Sequence, residues 1–222
     1  MAFDLAPFWL SLQVATLATA LVAVLGTPLA WLLARTRFVG RDLVGGLVTL
    51  PLVLPPTVVG YGMLMLLGRR GWVGGWLDRV WGISVAFHWS GAVLAAAVMA
   101  TPMFVLPVRE AFAAIDPDLE AAARLLGRGE LAVFRSITVP LSWRGYVAGL
   151  VLTFARALGE FGATLMLAGN IPGRTRTVSL AIFDAVLADQ AALATGYACL
   201  VVATSLILVG LAQRVQQTPF SR

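Results

Sequence analysis

Apolar residues in this chain run together in long blocks and do not alternate with polar ones. Five blocks stand out: about Phe8 to Ala34, Leu43 to Leu67, Trp89 to Val108, Trp143 to Ala168 and Leu193 to Leu211. Crossing the ~30 Å hydrocarbon core of a bilayer takes about 20 residues of helix, and each block is of that order. Open strands cannot satisfy their backbone groups in lipid. The alternation over about ten residues that marks a barrel strand is missing. The pattern therefore predicts an all-α integral membrane protein, multi-pass, with about five transmembrane helices. No internal repeat or linker divides it, so residues 1–222 are expected to form a single transmembrane domain.

Composition agrees. Of the 222 residues, 59% are hydrophobic and 12% charged, against about 25% charged in a soluble domain. The net charge of +5 comes entirely from arginine, because the chain has no lysine. Nucleic acid is excluded as a partner: the arginines sit in short loops between apolar blocks and form no soluble basic face. They read as topology signals. Arg35, Arg37, Arg41, Arg109, Arg124, Arg128, Arg135, Arg144, Arg214 and Arg222 fall on one side, and Arg69, Arg70, Arg79, Arg174 and Arg176 on the other. The richer side is cytoplasmic, which puts the N-terminus outside and the C-terminus inside. The first block has no basic leader and is longer than a signal h-region, so it is expected to stay as a span. Cys199 lies in an apolar run and reads as a packing residue, and a lone His88 makes no metal site.

Two connections are long. Arg69 to His88 mixes glycines with Trp72, Trp76 and Trp81, an interfacial segment. The other, about 110–142, is a cytoplasmic loop carrying five of the eleven acidic residues, and loops of that length are usually functional. Within it, Asp116 is a good N-cap, Pro117 suits the first helical position, and Asp118 and Glu120 suit the positive helix end. Gly127 supplies a stop. Leu119, Ala122, Ala123 and Leu126 fall on one helical face. The short helix comprising Asp118, Glu120, Ala121, Ala122, Ala123, Arg124, Leu126 and Gly127 is shaped to slide into a cleft of another protein.

This loop resembles the coupling segment of ABC-importer permeases. Gly127, Ile137 and Pro140 keep that family's Gly–Ile–Pro spacing. Ala121 stands where the family usually has Glu, Glu120 comes one residue early, and Val139 replaces the usual Leu. The resemblance implies that the helix docks into a groove of the ATPase subunit.

Arg156 and Glu160 stand four apart, sharing a helix face, about 20 Å along the fourth block at 1.5 Å per residue. An intramembrane ion pair is a functional-site hypothesis by default. It either fixes bundle packing or lies beside the pathway and sets a gate, with Gly162 and Thr164 following on the same stretch. Pro55, Pro56 and Thr57 break the second block near mid-membrane, where irregular backbone must be buried in protein or line a cavity. Thr101-Pro102 is a weaker case of the same kind. These breaks either serve packing alone or mark the pathway.

From about Phe8 to Leu211 the chain resembles molybdate permeases of the ABC class. The matching stretches include Gly26-Thr27-Pro28-Leu29-Ala30, Leu50 to Gly60, Arg156 to Ala163, and Gly169-Asn170-Ile171-Pro172-Gly173-Arg174-Thr175-Arg176-Thr177. The last favours molybdate over sulfate, and tungstate is not separated from molybdate. The resemblance implies a type I importer bundle in the cytoplasmic (inner) membrane of a bacterium. It implies a second copy of the chain, a dimer of ABC ATPase subunits and an extracytoplasmic molybdate-binding protein as partners. A P-loop needs a lysine that this chain lacks, so no cofactor is expected in it. ATP-Mg and its hydrolysis belong to the partner subunit, and the chain is not itself an enzyme. A sulfate or thiosulfate permease is the alternative within the class. An ATP-independent secondary transporter is the alternative outside it and would call for unpaired intramembrane carboxylates.

Overall fold

The computed structural model describes residues 3–217; Arg222, counted above among the topology signals, lies outside them. Every element among the described residues is helical: α1 (Ala6–Arg35), α2 (Arg41–Val53), α3 (Pro56–Leu67), α4 (Trp72–Trp81), α5 (Trp89–Ala113) and α6 (Pro117–Leu125). Then come α7 (Glu130–Val133), a π-helical turn (Phe134–Thr138) and α8 (Val139–Leu141) in succession, followed by α9 (Trp143–Leu158), α10 (Gly162–Ala168), α11 (Val178–Leu187) and α12 (Ala191–Gln217).

Three helices are long and apolar enough to cross a membrane, α1, α5 and α12. The number rises to five if each of two bent helix pairs is one span. One bent pair is α2 and α3, which meet at 117°. The break falls at Leu54–Pro55, where successive prolines remove N–H donors and push the preceding residue into extended geometry. The predicted second span is thus two short helices. The other bent pair is Glu130–Leu141 with α9, at 73°. The predicted fourth span, Trp143 to Ala168, is separately interrupted, since α9 ends at Leu158 and α10 starts at Gly162. The sequence reading missed α11, whose ten residues are too few to cross.

The core is the triple junction of α1, α5 and α9. Helix α5 lies at its centre because alanine fills its buried positions 92, 95, 96, 97 and 100, and small side chains let helices approach closely. Phe104 is fully buried between two glycines. A Cβ on Gly26 of α1 would stand 2.8 Å from Phe104 Cδ1, and one on Gly149 of α9 would stand 3.1 Å from Cδ2. From Phe104 a line of aromatic contacts runs through Tyr146 and Phe112, edge-on, to Phe134 of the π-helical turn, tilted, with centroids 5.7–6.0 Å apart. The 110–142 connection is therefore packed onto the bundle. Helix α12 sits at the periphery against α9 and α11.

Candidate functional site

The 110–142 connection, expected to be a coupling segment, starts where α5 ends. Asp116 caps α6 by accepting from Asp118 N–H at 2.9 Å, with Pro117 at the first helical position. At the other end Arg128 N–H donates to Ala123 C=O at 3.1 Å and Gly127 N–H to Arg124 C=O at 2.9 Å. This is a Schellman stop, with Gly127 in the left-handed region at φ 81°. Both boundaries fall where the sequence puts them.

Of Leu119, Ala122, Ala123 and Leu126, which their spacing puts on one helix face, only Ala123 is buried, and Glu120 is buried beside it. Glu120, one residue early for the family pattern, is the anchor of the helix. Its Oε1 accepts from Arg35 Nη2 at 3.0 Å and from the buried Thr138 hydroxyl at 2.8 Å. Arg35 also donates to Ile115 C=O at 3.3 Å. Three elements meet at this carboxylate: the end of α1, helix α6 and the π-helical turn. The sequence reading used Arg35 only as a topology charge. The signal that could have singled it out is its place in the last turn of a long helix, where cations are favoured. Arg41 likewise donates to Leu33 C=O at 2.6 Å and closes the end of α1.

With Glu120 turned inward, the outward side of α6 carries Ala121, Ala122, Arg124, Leu125 and Leu126. Leu125 and Leu126 are 89% and 83% exposed. Arg124 bridges forward to Glu130, Nε to Oε1 at 2.7 Å. That hydrogen bond raises the guanidinium's pKa further, so it stays a cation. The helix is thus firmly held, with two exposed leucines beside a paired cation.

The pathway candidates also come together. Arg156 Nη1 lies 2.7 Å from Glu160 Oε2, as the spacing predicts. The shared helix face is not found, because α9 has ended before Glu160. Instead Glu160 Oε1 accepts from Ala163 N–H at 2.8 Å and caps α10. This buried carboxylate joins two half-helices across the Gly159–Phe161 break. Gly162 packs on Pro56 and Thr57: a Cβ there would be 3.0 Å from Pro56 Cβ and 3.4 Å from Thr57 N. Gly60 faces Ala163 as closely: a Cβ there would stand 2.7 Å from Ala163 Cα. The two broken spans thus pack break against break. Thr164 is buried with no hydrogen-bond partner for its hydroxyl among the described residues, while Pro55, Pro56 and Thr57 are exposed. Among the described residues no group of three or more His, Cys, Asp or Glu could hold a metal.

The family model for the binding-protein-dependent transport system inner membrane component matches residues 26–219. The chain belongs to that family. It is similar to the molybdenum transport system permease protein ModB of Escherichia coli K12, 51% identical over 174 residues covering 78% of this chain and 76% of that one. ModB of Haemophilus influenzae is 46% identical, covering 86% and 83% of the two chains. A putative molybdenum transport system permease protein of Bacillus subtilis, YvgM, is 41% identical, covering 94% and 92%. Among solved structures, an inward-facing MetNI methionine ABC transporter shares the fold at a TM-score of 0.73 and 16% identity, over 97% of this chain and 95% of that one. The all-helical permease architecture expected from the resemblance is therefore present.

Proposed function

We propose that this chain is the membrane permease subunit of an ATP-driven molybdate importer in the inner membrane. Two copies would form the pathway, two ATPase subunits would drive it, and an extracytoplasmic binding protein would deliver the anion. The observation that carries the reading is α6: a capped helix, clamped to the bundle through Glu120, with bare Leu125 and Leu126 outward. Molybdate as cargo is supported by the similarity to molybdenum permeases of three bacteria at 41–51% identity. Tungstate, a near-isostere, would share the route.

In this reading the chain does no chemistry. Nucleotide closes the ATPase dimer and moves α6. The aromatic line from Phe134 to Phe104 carries that displacement into the α1–α5–α9 core. The packed breaks at Pro55–Thr57 and Glu160–Gly162 then have two arrangements. Nucleotide can bias them only as far as its affinity differs between the two states. The Arg156–Glu160 pair leaves little net charge at the break, so a dianion passes without being trapped. The arginine distribution supports an outside N-terminus and a cytoplasmic α6.

The test is reconstitution of the chain with its ATPase subunit and binding protein in vesicles. ATP-dependent accumulation of molybdate, blocked by tungstate and little affected by equimolar sulfate, is expected. Equal competition by sulfate would move the cargo to sulfate. Accumulation without ATP or the ATPase subunit would refute the reading.

A further inference from the structure

At the far end of the bundle from α6, a cavity of about 620 Å³ opens between the end of α3, the α4–α5 connection and the loop after α10. Helix α5 links the two ends: His88 precedes its first residue and the coupling segment follows its last, about 37 Å away at 1.5 Å per residue. Arg69, Arg70, Arg174 and His88 line the cavity and no carboxylate does. Among the described residues none of the three arginines has an ion-pair partner, whereas five of the other described arginines do.

The walls are fixed in place. The loop bearing Arg174 is stapled: Arg176 pairs with Asp184 at 2.7 Å, and Asn170 donates to Asp184 at 2.7 Å and accepts from Arg176 at 3.0 Å. Thr175 closes it further, its hydroxyl accepting from Ile171 N–H and donating to Gly169 C=O. So Arg176 is consumed as structure and Arg174 is left over. On the opposite wall Ser90 N–H donates to His88 Nδ1, which makes Nε2 the protonated nitrogen of the neutral ring. Phe87, also on the wall, sits at φ 58°, a conformation a bulky residue adopts only when its surroundings impose it. It is held by its N–H on Leu167 C=O at 3.0 Å. Such strain gathers at sites with a function.

Three unpaired guanidinium groups, one imidazole N–H and a strained rim make a receptor for a compact dianion. Guanidinium offers planar, paired donors to tetrahedral oxyanions. We propose that this cavity is an oxyanion-binding site that holds a tetrahedral dianion at the mouth of the bundle before it enters. With molybdate as the ion it rests on the cargo proposed above. The pathway itself carries the neutralised Arg156–Glu160 pair, so holding and passing the anion are assigned to different places.

The experiment is equilibrium dialysis of the permease–ATPase complex, without binding protein, against sodium molybdate in phosphatidylcholine nanodiscs. One molybdate per permease chain is expected. Arg69→Gln, Arg70→Gln and Arg174→Gln should each weaken binding about tenfold, the scale of one charge-assisted contact. Arg79→Gln, which removes an arginine outside the cavity wall, should change nothing. Wild-type binding matched by the three wall variants would overturn the proposal, as would abolition of binding when phosphatidylglycerol is added, which would make the cluster a lipid site. Absence of binding in a complex whose full transporter accumulates molybdate would overturn this site alone. Absence of molybdate accumulation would instead overturn the cargo.

Discussion

Glu120→Ala tests the anchoring of α6 most sharply. The carboxylate is 7% exposed and holds Arg35, whose side chain is 15% exposed, together with the buried Thr138 hydroxyl. Removing one partner of a buried pair costs about 3–5 kcal/mol. Arg35 retains some access to water, which lowers its share to about 2 kcal/mol. Arg124 lies 3.7 Å off and is 41% exposed, so it adds little. The stranded Thr138 hydroxyl adds about 1 kcal/mol. The sum, about 3 kcal/mol, falls on the attachment of α6 and the π-helical turn, leaving the α1–α5–α9 core intact. Hydrogen exchange of the α6 amides should then speed up by about 100-fold, with α5 amides unchanged. ATP hydrolysis by the assembled transporter should continue while uptake falls. A double cycle with Arg35→Ala should give a coupling of about 0.5–3 kcal/mol. Unchanged exchange in α6, or additive single variants, would refute the anchoring role.

Leu125→Ser with Leu126→Ser should lower ATPase-subunit affinity at least tenfold and leave the thermal midpoint of the isolated permease unmoved, because both leucines face solvent. Gly127→Val should loosen the stop of α6 by about 1–2 kcal/mol, since a β-branched residue is strained at φ 81°, read as faster amide exchange at Arg128. Gly162→Val should destabilise the bundle by about 1–3 kcal/mol through overpacking against Pro56 and Thr57, seen as a lower melting temperature. Asp184→Asn should free Arg176 and loosen the 169–177 loop, seen as increased proteolysis there.

The features legible in the sequence were those set by local chemistry. Asp116, Pro117 and Gly127 bound α6 because capping depends on neighbouring backbone groups alone. The positions of α1, α5 and α12 followed from the length of apolar runs. What failed needed three dimensions. Two spans proved broken because apolar content says nothing about continuity once Pro55–Pro56 and Gly159–Gly162 interrupt the backbone. The burial of Glu120 was hidden because its partners, Arg35 and Thr138, lie 85 and 18 residues away. Arg156–Glu160 was right as a pair and wrong as a helix face, since Glu160 turns away to cap α10. Arg69, Arg70 and Arg174 looked like topology charges, and only the fold brings them to one cavity.

The proposed function requires α6 to meet an ATPase subunit on the cytoplasmic side. Leu126→Cys in a Cys199→Ala background places one thiol on the outward face of that helix. In intact cells it should cross-link to the co-expressed ATPase subunit and resist thiol reagents that cannot cross the membrane. Labelling of that thiol from outside, or no cross-link to the ATPase subunit in an otherwise active transporter, would contradict it.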